Sequence, residues 1–439
     1  MITVVKFGGS SVANCTQFEK VKNIVLSDDK RRIVVVSAPG KRFSGDSKIT
    51  DLLYLLSSHI KYNVDFTNIY NNIYDRYEEI RSGLNINFDL KKEFEEIKAN
   101  LKNGATEAYI VSRGEYLCAK LMASYLGFTF VDSTEMILFN YDGSLNYEKT
   151  AEKVKEKYAE YNCIVVPGFY GAYPSGEVKL FTRGGSDITG SVMAMGVNAE
   201  IYENWTDVSG LLVADPRVID NPKGVEEITY DELRELSYMG ASVLHEETIF
   251  PIRELDIPIN ILNTNRPQDK GTIICKNSDK KDSFITGIAG KKNFKAFTIV
   301  KNVFADKLTV IRDVLNVFDK FKVSVEHIPT AIDSFSVVVD GKSVEKSVFD
   351  IITELKKING VISVDIDNDL ALVAVVGRNM ALKAGVSGAL FSVFGRHKIN
   401  IKTIAQGTRE INIIVGVANE DFEKSIRAIY QDIVIEEKY

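Results

Sequence analysis

Over roughly the first 280 residues, short apolar runs alternate with stretches whose apolar positions recur every three or four residues. The runs at 2–7, 33–37, 164–167, 200–204 and 257–262 read as buried strands. Between them, Ile49, Leu52, Leu53, Leu56 and Ile60 share one helical face, as do Leu117, Leu121 and Tyr125. Alternation of this kind builds an α/β domain of three layers, a largely parallel sheet between helices. The stretch 61–103 is polar, rich in Asn and Tyr and mostly helical in pattern, and reads as an insertion covering one edge.

The charged run Asn277-Ser278-Asp279-Lys280-Lys281-Asp282-Ser283 reads as a linker, and the pattern changes after it. A strand at 297–301 leads to a helix with Leu308, Ile311, Leu315 and Phe318 inward. Strands at 323–328 and 335–339 follow, then a turn at Asp340-Gly341, a helix carrying Val344, Val348, Ile351 and Leu355, and a strand at 361–366. The order recurs with a strand at 370–376, a helix with Val386, Leu390 and Val393, strands at 399–404 and 411–417, a helix with Phe422 and Ile426, and a strand at 433–436. Each set is a βαββαβ unit, so the tail holds two copies of one ferredoxin-like fold. The expected divisions are 1–282, 283–369 and 370–439.

Composition narrows the partners. With 45% hydrophobic and 26% charged residues the chain is of the soluble globular type, and a net charge of −6 offers no basic field for nucleic acid or membrane lipid. No apolar run approaches a membrane span, and Met1-Ile2-Thr3-Val4-Val5-Lys6 has no leader pattern. Cys15, Cys118, Cys163 and Cys275 are scattered without a Cys-x-x-Cys pair, as expected of reduced thiols in a cytoplasmic protein without a cysteine-bound metal.

Candidate chemistry gathers in three loops. Lys6-Phe7-Gly8-Gly9-Ser10-Ser11 follows the first strand directly; successive glycines let backbone amides approach an anion, and Lys6 adds a point charge. The order is neither the dinucleotide pattern nor a Walker loop, where the Lys follows the glycines. Phe181-Thr182-Arg183-Gly184-Gly185-Ser186-Asp187 opens a helix marked by Ile188, Val192 and Met195, with Ser186 or Asp187 expected at its cap. Two Gly-Gly loops, each with one cation, point to phosphoryl transfer, with Asp187 orienting Lys6 or a magnesium-bound water. The third loop, Asn204-Trp205-Thr206-Asp207-Val208-Ser209-Gly210, ends a strand, where α/β domains place ligands, and Ala214-Asp215-Pro216-Arg217 follows. Asp207 suits ribose or a base edge; Arg217 suits phosphates.

None of the histidines, His59, His245, His327 and His397, lies in these loops. A hydroxyl acceptor usually wants a base, whereas a carboxylate with a pKa of about 4 is already a nucleophile at neutral pH. Lys, Arg and glycine amides therefore suit a kinase that forms an acyl phosphate.

These motifs closely resemble the signatures of aspartate kinases, over essentially the whole chain, and the tail resembles their paired ACT domains. The resemblance implies the amino-acid kinase fold and transfer of the ATP γ-phosphoryl to the β-carboxylate of L-aspartate, the entry to lysine, threonine and methionine synthesis. It implies ATP with Mg2+ held mainly through the phosphates. By position, Lys6, Gly8, Gly9 and Ser10 look like the phosphate loop, with Lys6 and Asp187 as the catalytic pair. Thr50, Glu115 and Arg183, with Gly184, Gly185 and Ser186, look like the aspartate site. Thr206, Asp207, Leu212, Arg217 and Ser242 look like further nucleotide contacts. Thr50 and Glu115 are expected to open helices, where ordinary capping is the rival explanation. Two departures stand out. Leu212 replaces a Tyr of many relatives, and Gly240-Ala241-Ser242-Val243-Leu244-His245-Glu246 has Ser242 where they have Lys.

The ACT pair implies feedback by an amino acid, lysine first and threonine second, and a homodimer or tetramer assembled through ACT contacts. It also implies that the first unit is nested in the second, completed by a strand near 285–290. Glu326, at the end of an expected strand, is the candidate partner for a lysine ammonium; an exposed strand charge is the plain alternative. A glutamate-type carboxylate kinase and a non-catalytic amino-acid sensor are the competing functions.

Overall fold

The computed structural model describes residues 2–182, 184–241, 244, 246–278, 285–302, 306–378, 380, 383–407 and 411–436. The chain forms two compact units, one of Met1–Leu211, Gly224–Tyr230 and Val243–Ser278, the other of Leu212–Lys223, Asp231–Ser242 and Asp279–Tyr439. The segments 212–223 and 231–242 thus cluster with the C-terminal part, and a single cut near 282 does not describe the division. No helix among the described residues is long and apolar enough to cross a membrane.

In chain order the first unit holds β1 (Thr3–Phe7), α1 (Cys15–Leu26), β2 (Arg31–Val36), α2 (Ile49–Lys61), α3 (Thr67–Gly83), α4 (Leu90–Lys102), α5 (Glu107–Leu126), β3 (Thr129–Phe130), α6 (Tyr147–Tyr161) and β4 (Ile164–Pro167). It continues with β5 (Tyr170–Ala172), β6 (Val178–Leu180), α7 (Gly185–Val197), β7 (Ile201–Thr206), β8 (Glu227–Thr229), α8 (Tyr230–Tyr238, of which only Tyr230 belongs here), α9 (Glu246–Arg253), β9 (Ile259–Asn263) and β10 (Thr272–Cys275). Among the described residues one sheet runs β3-β4-β2-β1-β7-β9-β10-β8, parallel except where β10 meets β9. The central strands are buried on both faces, which explains why β1, β2 and β4 read as largely apolar runs, interrupted in β1 by Lys6 and opened in β2 by Arg31 and Arg32. β1 and β7 lie in register with Lys6 beside Asn204, and that pairing places two of the three loops side by side.

The stretch 61–103 is largely a helical pair, α3 and α4. It packs against α1, α2 and α5, and Ile73, Tyr77, Ile80, Phe94 and Ile97 join the same apolar core as Val34, Leu53 and Leu117. Every third or fourth residue of α3 is apolar enough to bury despite the polar composition, as Tyr70, Ile73, Tyr77 and Ile80 show.

The second unit adds β11 (Gly287–Lys301), α10 (Lys307–Lys320), β12 (Val325–His327), β13 (Ser334–Asp340), α11 (Gly341–Val344), α12 (Val348–Lys356), β14 (Val361–Val376), α13 (Val386–Arg396), β15 (Thr403–Gln406), β16 (Asn412–Val417) and α14 (Phe422–Ile429). Its sheet runs β12-β13-β11-β14-β16-β15, antiparallel throughout. β11 and β14 are long enough to serve both halves. Phe294–Val300 pairs with β13, while Gly287–Lys291 pairs with Val376–Leu372.

Three details differ from the sequence expectation. Residues 433–436 are not a strand; Tyr430–Ile435 is a π-helix, because the first part of β11 already occupies the partner position along β14. Asp340 caps the short helix α11 by accepting from the Lys342 amide, where a turn was expected. On α10 the buried stripe is Val310, Val314 and Phe318, one step round from the expected face, and Leu308 is 76% exposed. The linker expected at 277–283 falls mostly outside the described residues.

Candidate active site

The C-terminal ends of β1, β2 and β7 surround a cavity of about 650 Å³ in the first unit. Lys6, Gly8, Gly9, Ser10, Thr50, Glu115, Gly184, Gly185, Ser186, Asp187, Thr206 and Asp207 all line it. Crevices beyond the carboxyl ends of parallel strands are where this architecture binds ligands, since loops diverge there and helix N-termini point inward.

Lys6 forms its floor. Its ammonium is 2.6 Å from Asp187 Oδ1 and donates to Asn204 Oδ1 at 3.3 Å, while Asn204 Nδ2 donates to the same Asp187 oxygen at 2.8 Å. The lysine is 6% exposed, so its charge acts in a poorly solvated place with its direction set by two partners. Beyond it the chain turns sharply. The Gly8 amide donates to the Trp205 carbonyl at 3.0 Å, and Gly9–Val12 forms a single 3-10 turn whose first amides have no partner within the turn. A Cβ on Gly9 would stand 2.9 Å from the Ala38 carbonyl, so the backbone approach requires glycine.

The opposite rim is the start of α7. Neither Ser186 nor Asp187 caps this helix. Gly184 is the N-cap, in left-handed conformation at φ 59°, and it makes no side-chain cap bond. A Cβ at Gly185 would meet Phe169 at 2.6 Å and Phe181 at 2.8 Å, so packing demands the second glycine. Among the described residues the first-turn amides of α7 therefore remain available to an anion, beside the Lys6 charge.

Glu115 does not open a helix. It lies in the middle of α5, 4% exposed, with Oε2 lacking a hydrogen-bond partner. Burial pushes its carboxyl up to about 8, against the opposing effect of a hydrogen bond with the Ala38 backbone. Capping thus does not explain this residue, and a buried acid facing a cavity is poised for a cation. Thr50 is the second residue of α2, whose N-cap Lys48 makes no side-chain cap bond.

A profile described as the amino acid kinase family matches residues 1–263, and an ACT domain profile matches residues 373–433. Aspartokinase 3 of Bacillus subtilis (strain 168) is 33% identical over 447 residues, covering 98% of both chains. The chain belongs to the aspartokinase family. Among solved structures, Clostridium acetobutylicum aspartate kinase, described as an allosteric enzyme, superposes with a TM-score of 0.94 at 48% identity, covering 98% of this chain and 99% of its own. E. coli aspartokinase III in its R-state complex with aspartate and ADP gives 0.74 at 25% identity over 99% of this chain and 100% of its own. The same enzyme in its T-state with lysine and aspartate gives 0.75 at 26%, over 98% and 99%.

Not every expected residue reaches the cavity wall. Arg183 and Ser242, with His245, lie outside the described residues. Leu212 and Arg217 belong to the second unit, where Leu212 is exposed and Arg217 pairs with Asp215 at 2.6 Å in the expected turn. Glu326 is also there, on β12. Asn204, quoted in the third loop but given no role there, partners Lys6 and Asp187, and Lys41 and Lys48 are cavity residues that the motif reading passed over. Asn204 had one signal, its place two residues before Thr206 on a strand pairing with β1; the two lysines had none beyond their charge.

Proposed function

We propose that this chain phosphorylates the β-carboxylate of L-aspartate with ATP, the first step toward lysine, threonine and methionine. The observation that carries the reading is the Lys6 ammonium, held by Asp187 and Asn204 between two glycine loops. A fixed charge aimed where negative charge develops on the transferred phosphoryl lowers the barrier, and costs no reorganisation during reaction. No histidine lines the cavity among the described residues, and a carboxylate nucleophile needs none. The E. coli relative, solved with aspartate and ADP, supports the same pair of ligands.

The residues divide the work by chemistry. The Gly9–Ser10 turn and the first turn of α7 offer amides to phosphate oxygens. Lys6 neutralises charge on the moving phosphoryl, and Asp187 keeps its direction. Glu115 takes the substrate ammonium, with Thr50 beside it, while Arg183 grips a substrate carboxylate through its planar fork. Asp187 and Asp207 are the lining carboxylates suited to orient water on Mg2+, which when bound supplies charge neutralisation on the phosphates.

Feedback by lysine through the second unit belongs to the same proposal, supported by the lysine-bound T-state of the E. coli relative. Glu326 there accepts from the Tyr238 hydroxyl of α8. A cavity of about 280 Å³ opens beside the next residues, His327 to Pro329, though Glu326 itself does not line it. Separate incubations with aspartate or with glutamate, each with MgATP and hydroxylamine, test the activity. Aspartyl hydroxamate is expected; glutamyl hydroxamate formed only from glutamate would mean another carboxylate kinase, and neither product would mean a sensor.

A further inference from the structure

Between β2 and α2 the chain makes a loop, residues 39–48, that borders the cavity. Its Pro39, Gly40, Lys41 and Lys48 line the cavity. It touches the phosphate turn directly, the Gly40 amide donating to the Gly9 carbonyl at 2.8 Å. Lys41 and Lys48 are exposed, and neither forms an ion pair among the described residues. Two unneutralised ammonium groups on the wall of a site for anionic substrates raise the local concentration of those substrates and supply donors to them.

The loop is held from behind by α3. Arg76 is 5% exposed, and its guanidinium donates to the Gly40 carbonyl at 2.8 Å and the Ser47 carbonyl at 3.0 Å, spanning the loop from one end to the other. It also lies 3.0 Å from Asp46 Oδ2, which accepts from the Arg42 amide and guanidinium. One turn further along α3, Glu79 accepts from Arg42 at 2.7 Å. A planar fork that reaches two carbonyls and a carboxylate fixes a loop better than its own backbone can, since the loop lacks regular structure and exposes most of its residues.

We propose that loop 39–48 is a cationic wall of the active site: Lys41 contacts the nucleotide phosphates, Lys48 contacts the acceptor side near Thr50, and Arg76 is the positioning residue that holds both there. The assignment of sides follows from chain position, Lys41 beside the Gly40–Gly9 contact and Lys48 two residues before Thr50. It gives the helical stretch 61–103 a role in the reaction. It rests on the kinase reading above.

The test compares Lys41→Met, Lys48→Met and Arg76→Lys with wild type in steady-state hydroxamate kinetics. Lys41→Met raises the KM for MgATP roughly ten-fold, and Lys48→Met raises the KM for aspartate by a similar factor, each losing one charge-assisted contact. Arg76→Lys keeps the buried charge but cannot span both carbonyls. It raises both constants, and added to the Lys41→Met, Lys48→Met double variant it changes little more, because those lysines are what it positions. A melting temperature measured alongside separates this from general loosening: a purely structural Arg76 lowers the melting temperature and leaves both KM values alone. Wild-type KM values in both lysine variants, or a fully additive Arg76→Lys effect, overturns the inference. Wild type that forms no hydroxamate overturns the kinase reading instead. Calorimetric titration with MgADP then still decides Lys41, with a ten-fold weaker Kd in Lys41→Met supporting its nucleotide role and an unchanged one refuting it.

Discussion

The Lys6 ammonium meets the Asp187 carboxylate at 2.6 Å, although one residue is the last but one of a strand and the other sits in the first turn of a helix far along the chain. Asn204 bridges them, because β1 and β7 pair in a register that sets Lys6 beside it. The arrangement aims a single charge rather than merely supplying one, and it separates two kinds of variant. Lys6→Ala is expected to lower kcat by roughly a hundred-fold or more, with a smaller change in the KM for aspartate. Asp187→Asn leaves the charge but frees its direction, so its kcat falls between the two. Near-normal kcat with only a raised KM in Lys6→Ala would sink the assignment.

Glu115 sets a pH dependence. Its carboxyl, pushed up to about 8 by burial, is mostly protonated at neutral pH in the free protein, whereas the substrate ammonium favours the ionised form. The KM for aspartate should therefore fall as pH rises toward about 8 and level off above it. Glu115→Gln should raise that KM and flatten the profile between pH 6 and 8, the range suggested by the raised value. Stability runs the other way. A folded-state value above the unfolded one means stability is full below the ordinary carboxylate range and declines as pH rises to about 8. Thermal melts across this range, with and without aspartate, check both signs, since bound ammonium should offset the decline.

Gly9→Ala probes the contact between the phosphate turn and the adjoining loop. The new Cβ would lie 2.9 Å from the Ala38 carbonyl and 3.3 Å from the Gly40 amide, both backbone atoms with little room to yield. Overpacking of this kind costs about 1–3 kcal/mol. The strain falls on the turn that offers amides to phosphate, so the expected result is a raised KM for MgATP together with a lower melting temperature. An unchanged nucleotide KM would show that the turn can move aside without consequence.

Glu326→Gln addresses regulation. If the side chain receives the distal ammonium of lysine, inhibition should weaken by about 1.5–3 kcal/mol, or roughly ten- to a hundred-fold. Activity without lysine should stay close to wild type, because a contact made only in the liganded state shifts only that state. Inhibition curves with lysine and threonine on both proteins give the answer. An unchanged lysine response would leave Glu326 as a strand charge bonded to Tyr238.

Much of this chain is determined locally, and that part was legible in the sequence. β1, β2 and β4 are largely apolar runs because parallel strands bury both faces, and the two Gly-Gly turns announce themselves because Gly9 and Gly185 admit close contacts and Gly184 a left-handed φ. Most of the repeated strand and helix order of the tail follows from period, its last element excepted. The tertiary structure decided what no local pattern encodes. Glu115 looked like a helix opener but stands mid-helix, and its raised proton affinity is a property of the core around it. The residues 433–436 carry a strand-like apolar pattern yet form helix, because β11 reached β14 first. The polar stretch 61–103 gave no sign of its role, since what matters there is one arginine fork meeting two carbonyls across the fold. Side-chain period is written in neighbouring residues and survives in the sequence; register between distant strands, and the dielectric around a buried charge, exist only once the chain has closed on itself.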